Sequence, residues 1–278
     1  MQKGDKELDK PENAPQWDES RSIRSELLSW LCTDRKAAEL VHRRGVRIAG
    51  AKITGPLDLS FAVIPHPLAL IECAAEEIIL LSAEARSLNF GGSYTGPINA
   101  DGLKTVGLVF FDEGFRAKGE VRLRGADIGG QLSCRGGTFK NEKGYALNAD
   151  GLKTGGDVFF NEGFRAAGEV RLPGADIGGN LECRGGTFEN EKGYALSAEG
   201  MNVKGVFLLR LREKPSGTID LINARVGHLE DDKLSWPEKG KLHLDGFEYS
   251  SLRMDEKTMN VEDRLEWLRL QIPEKSSV

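Results

Sequence analysis

The chain repeats itself. Residues 148–196 reproduce residues 99–147 at 41 of 49 positions, and the differences fall at 106, 108, 112, 118, 124, 131, 133 and 140 of the first copy. A unit copied this closely must be a module that stacks on its own duplicate, and a period of this size belongs to solenoids and similar arrays. A finer pattern runs inside each copy and beyond it. Apolar or small residues recur at relative positions 0, 2, 5 and 7, as in Val121/Leu123/Ala126/Ile128, Leu132/Cys134/Gly137/Phe139, Val170/Leu172/Ala175/Ile177 and Leu181/Cys183/Gly186/Phe188. Val46/Ile48/Ala51/Ile53, Leu57/Leu59/Ala62/Ile64, Ile219/Leu221/Ala224/Val226 and Leu242/Leu244/Phe247/Tyr249 follow the same spacing. The step from 0 to 2 is the strand period and puts both side chains on one face. The step from 2 to 5 breaks that period, so the chain turns a corner before it points inward again. A helix, with about 3.6 residues per turn, cannot produce this arrangement.

Read in fives, each segment is two quintets plus one extra residue, with a small residue two places before a larger apolar one. Ala126-Asp127-Ile128-Gly129-Gly130 and Ala175-Asp176-Ile177-Gly178-Gly179 are clear examples. In this the sequence resembles the pentapeptide-repeat family over roughly residues 46–249. The resemblance implies an all-β chain wound into a right-handed parallel quadrilateral β-helix, four quintets to a turn. Its interior would be filled by Leu123, Ile128, Cys134, Phe139, Leu172, Ile177, Cys183 and Phe188. Eighteen segment starts between 46 and 242 give about nine turns, a column roughly 40 Å tall at ~4.8 Å per rung. Extra residues between paired quintets, and inserted positions near 149–152 and 162–164, predict corners that bulge. The stretches Trp30-Leu31-Cys32-Thr33-Asp34, Arg47-Ile48-Ala49-Gly50 and Arg264-Leu265-Glu266-Trp267-Leu268 are also similar to a bacterial group loosely labelled membrane-associated oxidoreductases. No cofactor motif accompanies that likeness.

A stack of parallel strands leaves bare edges at both ends, and these need covers. Residues 1–20 read as a disordered tail and 21–45 as a helical cap, with Ile23, Leu27, Leu28 and Leu31 on one apolar face and Thr33-Asp34 starting a second short helix. The solenoid spans 46–250, and 251–278 form a C-terminal helical cap and tail, where Asn260 precedes Val261, Leu265, Leu268 and Ile272. In this reading Trp267 stands exposed on that helix. The connections that lengthen, 140–145, 189–194, 212–217 and 230–240, all leave the same side of the coil. Loops on a rigid scaffold commonly carry recognition, so Asn141, Glu142, Lys143, Asn190, Glu191, Lys192 and Trp236 are the candidate interaction residues.

Chemistry finds little purchase in the sequence. The 38 basic and 43 acidic residues leave a formal charge of −5, and 39% apolar content supports a core rather than whole-chain disorder. Cys32, Cys73, Cys134 and Cys183 contain no C-x-x-C pair, and Cys134 and Cys183, two turns apart, stand about 9 to 10 Å from each other, too far to bridge. The repeated Gly-Gly steps open no nucleotide fingerprint and read as corners needing permissive backbone angles. Rows of acids (Asp101 with Asp150, Asp127 with Asp176, Glu120 with Glu169) could serve a polysaccharide-binding or polysaccharide-cleaving site, but they recur at the solvated quintet position. The family also includes DNA-mimicking inhibitors of gyrase, a type II topoisomerase. Here residues 99–147 carry 8 basic and 6 acidic side chains and 148–196 carry 5 and 8, a split sign that suits a duplex imitator poorly. The reading is therefore a non-enzymatic, cytoplasmic platform for an unidentified protein partner, with no catalytic residues, cofactor, metal, nucleic acid or membrane span, and a possible head-to-head homodimer through one solenoid end. Gyrase inhibition is its alternative and polysaccharide binding a third.

Overall fold

The computed structural model describes residues 9–253 and 259–271. Within them the chain winds into a parallel β-solenoid of about 9 turns with four strand positions per turn. The first turn sets the order. Val46–Ala49 lies on the first face, Lys52–Thr54 on the second, Leu57–Asp58 on the third and Val63–Ile64 on the fourth, after which Leu68–Ile71 returns to the first. Each face is a vertical parallel ladder. On the first, Val46 pairs with Leu68, Leu68 with Leu88, Leu88 with Val109 and Val109 with Leu132. On the fourth, Glu84, Lys104, Asp127, Lys153 and Asp176 succeed one another in the same register.

The corners explain much of the glycine. At the corner between the third and fourth faces, Phe61, Ser82, Gly102, Gly125, Gly151, Gly174, Gly200, Asn223 and Gly246 all adopt φ between 51° and 70°. Glycine and asparagine take this left-handed conformation with least strain, which is why they dominate the column. The Gly129-Gly130 and Gly178-Gly179 steps have a different cause from the one their spacing implies. Their φ angles are not left-handed; a Cβ on Gly129 would stand 2.5 Å from the Val106 carbonyl oxygen, and one on Gly178 2.6 Å from that of Gly155. Close approach of successive rungs, rather than backbone permissiveness, requires glycine there.

The interior is as the quintet spacing predicts. Leu123, Ile128, Cys134, Phe139, Leu172, Ile177 and Cys183 are fully buried and Phe188 is 2% exposed. Phenylalanines form a continuous ladder up one inner corner: Phe90 to Phe111 at 5.3 Å between ring centres, Phe111 to Phe115 at 5.0, Phe115 to Phe139 at 5.5, Phe139 to Phe164 at 5.4 and Phe164 to Phe188 at 5.3. Each ring contributes roughly 1.5–3 kcal/mol by burial, and each offset pair adds about 0.5–1.5 kcal/mol.

Both ends are closed. Helix α1 (Ser25–Thr33) sets Leu28 and Cys32 into the core, and α2 (Arg35–Leu40) starts at Asp34, whose carboxylate accepts from the Lys36 and Ala37 amides and so satisfies two orphan donors. Leu27, read as part of the buried face, is instead 45% exposed, because the helix turns Ser25, Leu28 and Cys32 toward the first turn. Before α1, the strand Ser22–Arg24 adds a rung beside Lys52–Thr54. Residues 9–20 depart from the expected tail: Pro11–Gln16 form a 3-10 turn against the Ala74–Ala75 strand, Ala14 is buried and Glu12 pairs with Arg116. Small side chains on that part of the second face leave room for it. Residues 1–8 lie outside the described residues.

At the other end α3 (Val261–Arg269) is started by a reciprocal cap between Asn260 and Asp263. Its Trp267, expected to be exposed, is 4% exposed and packs edge-on to Phe247 at 6.5 Å. Val261, Leu265 and Leu268 face the opposite way. Ile272 lies outside the described residues. Asp231, all but sealed from water, ties the cap to the coil. It accepts from both Arg264 Nη1 (3.0 Å) and Nη2 (2.8 Å), and from Trp236 Nε1 (2.8 Å).

Candidate interaction edge

The long strands Thr138–Asn148 and Thr187–Ser197 each run through the corner between the second and third faces, and their pairing slips there, between Lys140 and Tyr145 and between Glu189 and Tyr194. The extra residues of 141–144 and 190–193 therefore bulge outward on the same edge, two turns apart. The duplicated sequence builds the two loops alike. Asn141 Nδ2 donates to the Tyr145 carbonyl at 3.0 Å, and Asn190 Nδ2 to that of Tyr194 at 2.8 Å, closing each loop on itself. Beneath them, Gly168 and Gly217 take φ of +124° and +128°; a Cβ on either would stand 2.3 and 2.4 Å from the carbonyl oxygens of Asn141 and Asn190. Each loop thus rests directly on a bare stretch of backbone in the next turn.

The sequence-predicted residues divide into three roles. Glu142, Lys143, Glu191 and Lys192 are exposed. Lys140 Nζ lies 2.9 Å from the Glu142 carboxylate and, through that hydrogen bond first, holds its pKa below the usual carboxylate value. Asn141 and Asn190 are half-buried and work as loop clasps. Trp236 does not belong to the edge: it is 4% exposed, because the 231–240 insertion folds over the end of the coil and buries the indole beside Asp231 and Arg264. Sequence reasoning missed Tyr145 and Tyr194, which are 38% and 37% exposed just past each loop. Their signal was present, since both copies place a tyrosine where the strand resumes.

Two open grooves flank the loops. One, of about 570 Å³, runs by Arg116, Lys118, Lys140 and Lys143; the other, of about 610 Å³, by Glu142, Glu189, Lys192 and Glu213 over Gly168. On the neighbouring third face three of the four acids in the sequence-predicted rows are paired with arginine, and the fourth, Glu120, accepts from Asn148 Nδ2 at 3.3 Å. Arg171 Nε and Nη2 reach Asp150 at 3.0 Å, Arg171 Nη1 reaches Glu169 at 3.1 Å, and Arg122 pairs with Asp101. Burial raises the pKa of Glu169, with Arg171 opposing it.

All four cysteines are free and buried, and burial raises every thiol pKa, that of Cys32 to about 11. A thiol so held is protonated and unreactive. Among the described residues no group of three His, Cys, Asp or Glu side chains could hold a metal ion, and no helix is long and apolar enough to cross a membrane. The arrangement defines a four-sided parallel β-solenoid that presents two equivalent loops on one edge. The chain matches no protein-family model, no curated protein and no solved structure.

Proposed function

We propose that this chain is a non-enzymatic, rigid scaffold of the pentapeptide-repeat type, and that an unidentified protein partner reads the edge between the second and third faces. One observation supports this above others. In both copies the loop is clasped by its own asparagine and seated on a glycine of the next turn, while Glu142, Lys143, Glu191 and Lys192 stay in water. A loop already ordered before binding loses little conformational freedom on contact, so its interactions convert efficiently to affinity. Tyr145 and Tyr194 add amphipathic rings of the kind that anchor interfaces. A bacterial, cytoplasmic setting belongs to the same reading.

Crosslinking capture from a bacterial lysate, with the wild type beside a Glu142→Ala/Lys143→Ala/Glu191→Ala/Lys192→Ala variant, tests it. The partner should be lost from the variant while its circular dichroism is unchanged; equal capture by both would sink the assignment of this edge. Mimicry of DNA is less favoured, because the fourth face alternates Glu84, Lys104, Asp127, Lys153 and Asp176 up the column, whereas a duplex imitator needs one sign. Inhibition of gyrase supercoiling by the purified protein would reverse that order.

A further inference from the structure

Each end of the column is closed by a helix that is apolar on two opposite sides. Helix α1 buries Leu28 and Cys32 in the core, yet Leu27 and Trp30 on its other side are 45% and 47% exposed. The Val63–Ile64 strand that α1 touches adds Val63, 63% exposed. Helix α3 buries Trp267 and leaves Val261, Leu265 and Leu268 at 71%, 45% and 45%, spaced four and three residues apart along the far side. A surface helix needs one apolar stripe for its own fold; a second one is an interaction surface.

The polar residues around the two stripes carry opposite charge. Residues 24–47 hold six Arg or Lys against three Asp or Glu, whereas 230–240 and 259–271 together hold four against seven. Arg24, Arg35, Lys36, Arg43, Arg44 and Arg47 are all exposed at the first end, against Glu26 and Glu39. At the second, Glu238, Glu262 and Glu266 are exposed beside Lys233, Lys239 and Arg269, and the acidic excess comes from half-buried Glu230, Asp232 and Asp263 and buried Asp231.

We propose that the protein assembles head to tail with further copies of itself, the basic α1 end of one column seated on the acidic α3 end of the next. A head-to-head pair would instead set basic residues against basic residues, which charge repulsion disfavours. The joint is helix on helix, since both caps cover the strand edges and keep the sheets from running on. Two different patches meet in it, so the contact does not close on itself and rows longer than a dimer form. This assembly is independent of what the loop edge binds.

Sedimentation velocity on the full chain tests it, with Trp30→Glu blocking one end and Leu265→Arg the other. Both positions are exposed, so circular dichroism should match the wild type; Leu27→Glu and Leu268→Arg repeat the design should either variant misfold. The wild type should exceed twice the 30.5 kDa protomer mass as concentration rises, and fall back as NaCl is added. Each variant alone should be a monomer. Their equimolar mixture should form a one-to-one heterodimer and stop, because only one intact α1 end and one intact α3 end remain. A wild type that stays monomeric at every concentration overturns the proposal. So does a dimer that survives in Leu265→Arg alone, the mark of a head-to-head joint through α1. Monomeric wild type that sediments with phosphatidylserine vesicles would likewise overturn it, assigning the α1 end to lipid.

Discussion

The two 49-residue copies are identical at every apolar position of the core, and six of their eight differences fall on half-buried, exposed or glycine positions. The exceptions are the linked pair Asp112 and the covered Ser133, replaced by the covered Asn161 and by Glu182. Val106 is 80% exposed where the second copy has Gly155, Lys118 gives way to Ala167, and Lys140 to Glu189. The inside of such a column tolerates little change because each side chain is packed between its counterparts one rung above and one below. The outside carries no such constraint, and the first copy is net basic where the second is net acidic. Shape is therefore shared between the copies, and recognition chemistry is not.

The largest effect that can test this equivalence lies in the aromatic ladder. Phe139→Ala and Phe188→Ala should each lower stability by about 3–5 kcal/mol in urea unfolding, as expected for a fully buried ring. Phe139 touches Phe111, Phe115 and Phe164, whereas Phe188 touches Phe160 and Phe164. Phe139 should thus be the costlier by about 1 kcal/mol, the worth of one aromatic pair. A reversed order would break the comparison.

Next come the glycines beneath the loops. Gly168→Ala should cost roughly 1–3 kcal/mol, since it strains a left-handed residue and drives a Cβ into the Asn141 carbonyl. Gly119→Ala, at the equivalent place in the first copy, meets Pro97 at 3.2 Å and should cost less. Hydrogen exchange should accelerate across 141–144 in the first variant and not in the second. Smaller again, Asn141→Ala and Asn190→Ala should each cost about 1 kcal/mol, one hydrogen bond apiece, and be equal within error if the loops are truly alike.

The smallest effect concerns Glu169. Its folded pKa is raised, chiefly by burial, so the stability this group contributes is fully present below its unfolded value and is lost as pH rises through the folded one. Glu169→Gln should match the wild type at acid pH and become the more stable of the two as pH rises. A gap that widens toward acid would contradict the assignment of burial as the dominant cause.

The spacing 0, 2, 5, 7 made the coil, its turn count and its interior readable, because a side chain either fits between identical neighbours or does not. It also placed the 141–144 and 190–193 loops on one edge, since added residues recur there at one phase of the turn, but it put the 230–240 insertion on that edge too, where the structure folds it over the end of the coil. What escaped was set by contacts distant in sequence. Trp236 is buried by Arg264 and Asp231, and nothing local to it announces that. The α3 stripe of Val261, Leu265 and Leu268 reads as the inward face by apolar count, yet Trp267 takes that place because one large ring fills the end of the coil beside Phe247. The arm at 9–20 shows no periodicity of its own and is ordered by contacts distant in sequence, the small side chains of Ala74–Ala75 beneath it and the pairing of Glu12 with Arg116.

Removing one whole copy is the most direct test of a column built from interchangeable rungs. Deletion of 148–196 joins Leu147 to Ser197, the junction that Leu196 makes now, so every interior register is kept. Small-angle X-ray scattering should then show a folded rod shorter by about 10 Å, two rungs of ~4.8 Å, with its β-sheet circular dichroism retained. An expanded, unfolded chain, or a particle of unchanged length, would contradict it.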